Sequence, residues 1–177
     1  MLGGKAVALR LDELAFGTRY ARSAQAQIRA LTGSSRGYEA AARAGLAPSR
    51  RTLLNWLSGA TAPSAANQAR IHAAYADYRR TVAESRLKRH LERAGAGTRV
   101  EIHPLEGNAR THRGNIDVRY HVVRDWGPFL NAWKALPAPA RDLADRYFDD
   151  MQDAWIDVAD ELGSEGGAYY QVVAVGF

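Results

Sequence analysis

The sequence predicts an α+β protein, in which an N-terminal all-α helix-turn-helix module precedes a small α+β module of about three strands and two helices. Apolar residues recur at three- and four-residue steps up to residue 94, and strand-like alternation begins only after the stretch AGAG at 94–97. The charge divides at the same place. Residues 1–93 hold 16 Lys and Arg against 6 Asp and Glu, whereas residues 94–177 hold 8 against 13. We therefore predict a basic helical domain over residues 1–94 and an acidic α+β domain over residues 98–177.

The composition excludes several classes of protein. The 177 residues include no cysteine, which excludes disulfide scaffolds, thiolate zinc sites and thiol nucleophiles. No apolar run approaches the roughly 18 residues that a membrane-spanning helix needs. The first residues, MLGGKAVALRLDELAF, lack the pattern of a signal peptide. We expect a protein of the cytoplasm, associated with the nucleoid, with no membrane partner.

The basic half is predicted to be helical throughout. The first helical segment buries one face, and Ser23 caps the helix AQAQIRALTG, which ends at Gly33. The short helix GYEAAARAG ends at Gly45, and Pro48 or Ser49 begins the helix RRTLLNWLSG. A long helix then runs from about residue 64 to Gly95. The predicted buried residues are Leu9, Leu11, Leu14, Ala15 and Phe16 in the first segment, and Ile71, Ala74, Tyr75, Tyr78, Val82 and Leu91 in the long helix.

The acidic half changes to a mixed pattern. TRVEIH and IDVRYHVV are predicted strands, and the alternation in the second strand places its apolar residues on the buried face. GPFLNAWKAL is a short helix, PAPARDLADRYFDDMQDAWIDVADELG a long acidic helix, and AYYQVVAVGF a closing strand. The predicted buried positions are Ile116, Val118, Tyr120 and Val122 in the second strand, and Leu143, Tyr147, Met151, Ala154, Val158 and Leu162 in the acidic helix.

Residues 37–59 form the first candidate site, a helix-turn-helix. A short helix, a glycine-centred turn and a second helix of about ten residues are the elements that place a recognition helix in the major groove. Leu53, Leu54 and Leu57 are predicted to pack inward, with Trp56 as the anchor. The predicted DNA-facing residues are Arg50, Arg51, Thr52, Asn55 and Ser58, joined by Arg79, Arg80, Arg86, Lys88 and Arg89 of the long helix. The alternative is an unrelated pair of helices in a bundle.

The stretch AARAGLAPSRRTLLNWLSGATAPS is similar to the helix-turn-helix of actinobacterial mobile-element and plasmid proteins. More narrowly, RSAQAQIRAL before it, the arginine-rich helix after it and the order of the C-terminal elements resemble the telomere terminal proteins of Streptomyces-type linear chromosomes and plasmids. In that family a hydroxyl-bearing residue is bonded covalently to the 5′ end of the DNA and primes end-patching synthesis. The turn before RRTLLNW is longer here than in the family, which leaves the register of the recognition helix open.

The loop GNARTHRGN at 107–115 is the second candidate site. By loop position, the resemblance implies that Thr111 is the priming hydroxyl. Arg110 and Arg113 would favour an approaching phosphate, and His112 would act as the neighbouring base that a hydroxyl nucleophile needs. A basic hairpin loop that contacts the phosphate backbone, or nothing, is favoured over this chemistry.

A row of carboxylates in the acidic helix is the third candidate site. One continuous helix displays its side chains outward, whereas a two-metal site gathers carboxylates from several elements. A solvated face is therefore favoured, with a surface for a basic partner as the intermediate interpretation. The row comprises Asp149, Asp150, Asp153, Asp157 and Asp160. The five histidines show no metal-ligand spacing, although His103 and His121 would meet if their strands paired. We predict no metal and no cofactor.

Together these features predict a two-module DNA-binding protein whose acidic half mediates protein contacts or homodimerisation. The resemblance implies action in DNA replication at the ends of linear chromosomes or plasmids, as the protein primer, with a telomere-associated protein and a DNA polymerase as partners. The alternative is a transcriptional or partition regulator of a mobile genetic element, without covalent chemistry. The sequence favours either of these over a turnover enzyme, since it contains no phosphate-binding Gly-Lys-Ser/Thr loop and no evident set of converging acids.

Overall fold

A computed structural model describes residues 1–17, 21, 23–105, 118–137, 139–162 and 169–177. Within these residues five helices precede a three-stranded antiparallel sheet and two more lie between its second and third strands, which confirms the predicted α+β class. The helices are α1 Gly3–Phe16, α2 Ala24–Thr32, α3 Ser35–Arg43, α4 Arg50–Ser58, α5 Ala65–Glu92, α6 Gly127–Ala135 and α7 Asp149–Asp160. The strands are β1 Thr98–Pro104, β2 Arg119–Val123 and β3 Val172–Gly176. Short 3-10 turns cover Arg93–Gly95, Ala140–Asp142 and Asp145–Tyr147.

The chain divides into two compact units. Residues 16–82 form one, called here the helical unit, and residues 1–15 together with 83–177 form the other, called here the mixed unit. These limits differ from the sequence-based limits of 1–94 and 98–177. The reason lies in α1, which is bound into the mixed unit through Asp12. The buried Asp12 carboxylate accepts hydrogen bonds from the Trp133 indole at 2.8 Å and from the backbone N–H of Ala140.

Tryptophans form the core of the mixed unit. Trp126, Trp133 and Trp155 are all buried, and each indole N–H has an acceptor, as buried indoles require. The start of α1 packs closely on this core, because a Cβ atom at Gly3 would overlap the Trp155 indole. Of the predicted buried residues of the first helix, Leu11, Ala15 and Phe16 are buried, whereas Leu9 and Leu14 are half-buried.

The sheet has the strand order β2-β1-β3, and both pairings are antiparallel. The predicted face of β2 is wrong: Tyr120 and Val122 are exposed, and Val123 is buried. The register explains the difference, since Tyr120 pairs with Glu101 and therefore lies on the outer face, where the Arg99 guanidinium stacks on its ring at 3.8 Å. Val118 is half-buried, and Ile116 lies outside the described residues.

The single long acidic helix predicted after α6 is also wrong. Two 3-10 turns precede α7, which covers only Asp149–Asp160. Pro139 restricts the backbone before the first turn, and the Asp12 carboxylate takes the N–H of Ala140, so this segment does not enter an α-helix. Tyr147 is consequently exposed, whereas Met151, Ala154 and Val158 of α7 are buried as predicted. Leu143 and Leu162 are half-buried.

In the described part of the chain, no helix has the length and apolar character needed to span a membrane.

Candidate DNA-binding surface

The helix pair α3 and α4 is joined by residues 44–49, and specific local signals set both sides of this connection. After α3, Gly45 adopts a left-handed conformation with φ 67°. Its N–H donates to the Ala42 carbonyl and the N–H of Leu46 donates to the Ala41 carbonyl, both at 2.9 Å. This pair of bonds is the Schellman motif, which satisfies the last carbonyls of a helix and turns the chain. The predicted glycine-centred turn is therefore present.

The start and end of α4 follow the sequence-based prediction. The Ser49 hydroxyl caps the helix by accepting the backbone N–H of Thr52 at 3.2 Å, and it also bonds the Thr52 hydroxyl at 2.9 Å. Gly59 ends the helix in a left-handed conformation with φ 79°. Beyond it, the N–H of Thr61 donates to the Asn55 carbonyl at 3.3 Å. The helix thus has a fixed length of nine residues.

A shared apolar core holds α4 against the other helices of the helical unit. Trp56 is its anchor, as predicted, and Leu53 and Leu57 pack against the same core. The buried members of the core come from α2, α3, α4 and α5, and they are Ile28, Leu31, Ala40, Trp56, Ile71, Ala74 and Tyr75. The apolar faces of both α3 and α4 are therefore covered by this core. The opposite face of α4 consequently lies toward solvent.

Polar contacts from α2 hold the C-terminal end of α4. The Gln25 side-chain amide donates to the Leu57 carbonyl at 2.6 Å, and the Arg29 guanidinium donates to the same oxygen at 3.4 Å. The last carbonyls of a helix have no partner within the helix, so these donors supply one. They position α4 without using any side chain of its outer face.

The outer face of α4 carries the predicted DNA-facing residues. Arg50, Arg51 and Ser58 are exposed, and Thr52 and Asn55 are half-buried. Within the described residues, neither arginine nor the Asn55 side-chain amide has an intramolecular hydrogen bond or ion pair. These groups are therefore available to an external ligand. The inward prediction for Leu54 is wrong: its side chain is 55% exposed and lies on the same outer face.

The predicted DNA-binding residues of α5 differ in their exposure and contacts. Arg80 is fully buried, so its side chain lies away from any DNA surface. It occupies one stripe with Ala76 and Ala83, whose small side chains leave room for it. Arg79 is half-buried, donates to the Tyr75 hydroxyl at 3.0 Å and lies over the Phe16 ring.

The remaining α5 candidates belong to the mixed unit. Arg86, Lys88 and Arg89 are exposed, and Arg86 donates to the Leu14 carbonyl at 3.1 Å. Lys88 lies 3.8 Å from Glu92, one helical turn away. Val82, predicted to be buried, is 47% exposed, because the apolar stripe of the helix shifts from Ile71 and Ala74 to Ala83 and Leu87.

The positive charge is concentrated in a shorter segment than residues 1–93, over which the sequence analysis placed it. Residues 16–82 contain ten arginines, no lysine and two acidic residues, a net charge of +8. The remaining residues of the chain carry −3, consistent with the total of +5. One of the two acids is neutralised locally, since Asp77 accepts from Arg43 at 2.8 Å. The net positive charge of the chain is thus carried by the helical unit, whereas the rest of the chain has a net negative charge.

Sequence reasoning missed two further arginines. Arg36 on α3 and Arg70 on α5 are exposed, and neither has an ion pair within the described residues. Both belong to the helical unit. The signal that would have found them is their position opposite the apolar stripes of their helices, which the sequence already shows.

The other two candidate sites have different outcomes. The priming loop residues Arg110, Thr111, His112 and Arg113 lie outside the described residues. The five aspartates on or beside α7 are all exposed, as expected of a solvated face, and Asp160 accepts from the Tyr170 hydroxyl at 2.7 Å. That hydrogen bond raises the pKa of Tyr170 above its ordinary value of 10.0, helped by partial burial and the aspartate charge.

The histidine pair proposed across the strands does not form. His103 lies on the outer face of the sheet with Glu101, at 2.8 Å, whereas His121 lies on the opposite face and contacts Glu161 at 2.9 Å. Across the residues that the structure describes, no three His, Asp or Glu side chains converge into a metal-binding group.

No protein family, curated protein sequence or solved structure matches this chain.

Proposed function

We propose that the protein binds double-stranded DNA by inserting α4 into the major groove, with the helical unit as its DNA-binding module. One observation carries the proposal: the outer face of a capped, core-anchored helix presents Arg50, Arg51 and Asn55 without internal partners, in a unit of net charge +8. Each guanidinium that neutralises a phosphate releases condensed counterions, so this charge favours a polyanion.

The geometry of α4 suits a groove. An α-helix with its side chains is about 10–12 Å across, which fits the roughly 12 Å width of the major groove of B-DNA, and the nine residues of α4 extend about 13.5 Å along the helix axis. Arg50 and Arg51 lie in the first turn, where the recognition helices of helix-turn-helix proteins contact bases. Asn55 lies one turn further along. Arginine pairs bidentately with guanine and asparagine with adenine, so this face can both hold phosphates and read base edges.

The test is a fluorescence anisotropy titration of a labelled duplex over a series of salt concentrations. The double variant Arg50→Ala/Arg51→Ala should weaken binding about ten-fold or more. It should also reduce the slope of log Kd against log salt concentration by up to about two. The matched control is Arg124→Ala/Arg141→Ala, which removes the same charge from exposed positions of the mixed unit. Equal losses in both variants would mean that net charge, and not α4, accounts for binding.

On the resemblance described above, we further propose that the DNA is the end of a linear chromosome or plasmid, in the cytoplasm and associated with the nucleoid. The chemistry would be attachment of the first nucleotide to the Thr111 hydroxyl, with release of pyrophosphate from the nucleoside triphosphate supplied to a DNA polymerase. A transcriptional or partition regulator of a mobile element would bind DNA through the same helix without this step.

One assay separates the two. The protein is incubated with the polymerase and a labelled deoxynucleoside triphosphate, then denatured. Label that stays on the wild-type protein and is lost in Thr111→Ala supports the primer function. Absence of label under conditions in which a genuine terminal protein is labelled would favour the regulator.

A further inference from the structure

Leu54 is an apolar residue in the middle of a polar surface. The other leucines of α4, Leu53 and Leu57, pack against the core of the helical unit, and Trp56 is buried. Leu54 instead exposes 55% of its surface. Packing against the core therefore does not account for the position of Leu54, which is instead available to an external ligand.

The neighbours of Leu54 are the proposed DNA contacts. Residues three and four apart on a helix lie side by side, with about 5–6 Å between their Cβ atoms. Arg50 and Arg51 therefore border Leu54 on one side and Ser58 borders it on the other. When these polar side chains contact base edges or phosphates, Leu54 faces the groove floor between them.

We propose that Leu54 is a specificity-determining residue that contacts the C5-methyl group of a thymine in the major groove. The inference rests on the proposed DNA binding by α4. Thymine is the only standard base that presents a methyl group in the major groove, and apolar side chains are the groups that contact it. A T·A pair would thus be selected beside the positions contacted by Arg50 and Arg51.

The expected size of the effect follows from the area involved. Removing one buried methyl group costs about as much free energy as a four-fold change in affinity. Deoxyuridine differs from thymidine only in that methyl group, so it tests the contact without altering the hydrogen-bonding edge of the base pair.

The experiment begins with selection of a preferred duplex from a randomised pool with the wild-type chain. Each thymine of that duplex is then replaced singly by deoxyuridine, and Kd is measured by anisotropy for the wild type, Leu54→Ser and Leu54→Met. Because Leu54 is exposed, both variants should fold, which the melting temperature of each confirms. Methionine keeps an apolar side chain of similar size, and serine does not.

The proposal predicts one thymine whose replacement weakens binding about four-fold in the wild type and in Leu54→Met, but not in Leu54→Ser. If the wild type is sequence-selective and no thymine shows a penalty that depends on residue 54, the methyl contact is wrong and DNA binding by α4 stands. If the selected duplex binds no better than a scrambled one, and Arg50→Ala/Arg51→Ala behaves as its charge-matched control, both proposals fail.

Discussion

Replacing Gly37 by alanine should disrupt the packing of α3 against α2. Gly37 is buried in the first turn of α3. A Cβ atom at this position would lie 2.7 Å from the carbonyl carbon and 2.8 Å from the Cα of Leu31, and closer still to the Leu31 carbonyl oxygen. The obstacle is backbone of α2, and the Leu31 side chain is itself 2% exposed in the core. Neither helix can relieve the overlap by a rotamer change.

The magnitude combines two opposing effects. Overpacking of a well-filled core costs about 1–3 kcal/mol, and a backbone obstacle places this substitution at the upper end of that range. Alanine in a helix recovers up to about 1 kcal/mol relative to glycine. We expect a net loss of about 2 kcal/mol, which corresponds to about 10 °C in Tm for a unit of this size.

The assay is thermal unfolding followed by ¹⁹F NMR after labelling with 5-fluorotryptophan. Trp56 is the only tryptophan of the helical unit, so its resonance reports on that unit separately from the other three. The matched control is Gly33→Ala. Gly33 has φ −84°, and a Cβ there would come no closer than 3.4 Å to the Arg29 carbonyl oxygen. It should be neutral or slightly stabilising. If Gly37→Ala melts at the same temperature as Gly33→Ala, the close approach of α2 and α3 is refuted.

Three further predictions concern groups outside the proposed interface. Asp12→Ala should destabilise the mixed unit by about 2–5 kcal/mol, since it leaves the Trp133 indole and the Ala140 N–H without their acceptor; an unchanged denaturation midpoint of the Trp133 resonance would contradict this. Arg80→Ala should destabilise the helical unit by about 2 kcal/mol or more, because it empties a fully buried site, whereas Arg70→Ala at an exposed site should leave the Trp56 melting curve unchanged. Tyr170 should ionise above pH 10.0, and Asp160→Asn should lower its pKa; the ultraviolet difference titration against Tyr170→Phe measures both. Because the folded state raises this pKa, stability from the Tyr170–Asp160 bond is present below pH 10.0 and is lost as pH rises through the raised value. Identical titration curves with and without Asp160 would exclude that cause.

Local signals predicted the helix boundaries of the helical unit well. Ser23 and Ser49 cap α2 and α4, and Gly45 and Gly59 adopt the left-handed conformations that end helices. Each of these signals acts within a few residues of its own position, through a side-chain acceptor or a backbone conformation. A single sequence therefore contains all the information that they need.

Whether a side chain is buried depends on elements that are distant in the sequence, and the sequence predicted burial less well than helix boundaries. Tyr120 and Val122 follow an alternating apolar pattern, yet the pairing of β2 with β1 places the opposite face against the core. Arg80 is charged and buried because small residues on its own stripe leave space for it. Leu54 has an apolar side chain, as core residues do, yet it lies on the surface. The predicted acidic helix was too long because the sequence does not show that Asp12, more than 120 residues away, accepts the N–H of Ala140.

The candidate DNA-binding face was predicted more completely than its surroundings. All five residues proposed on α4 are exposed or half-buried, since helix periodicity alone separates them from Trp56. The α5 residues were proposed from charge alone, and charge does not distinguish a buried Arg80 from an exposed Arg86. The absence of lysine in the helical unit is the feature that the composition of the whole chain concealed. Arginine offers a planar, bidentate donor to guanine and phosphate that lysine cannot reproduce.

Site-specific photocrosslinking shows whether α4 contacts DNA. A benzophenone amino acid is placed at Ser58, on the exposed face of α4, and in a second variant at Tyr120, on the exposed face of the sheet. Each variant is irradiated with a labelled duplex and separated under denaturing conditions. If α4 enters the major groove, position 58 gives a covalent adduct and position 120 gives none. An adduct from position 120, with none from position 58, would contradict this binding mode.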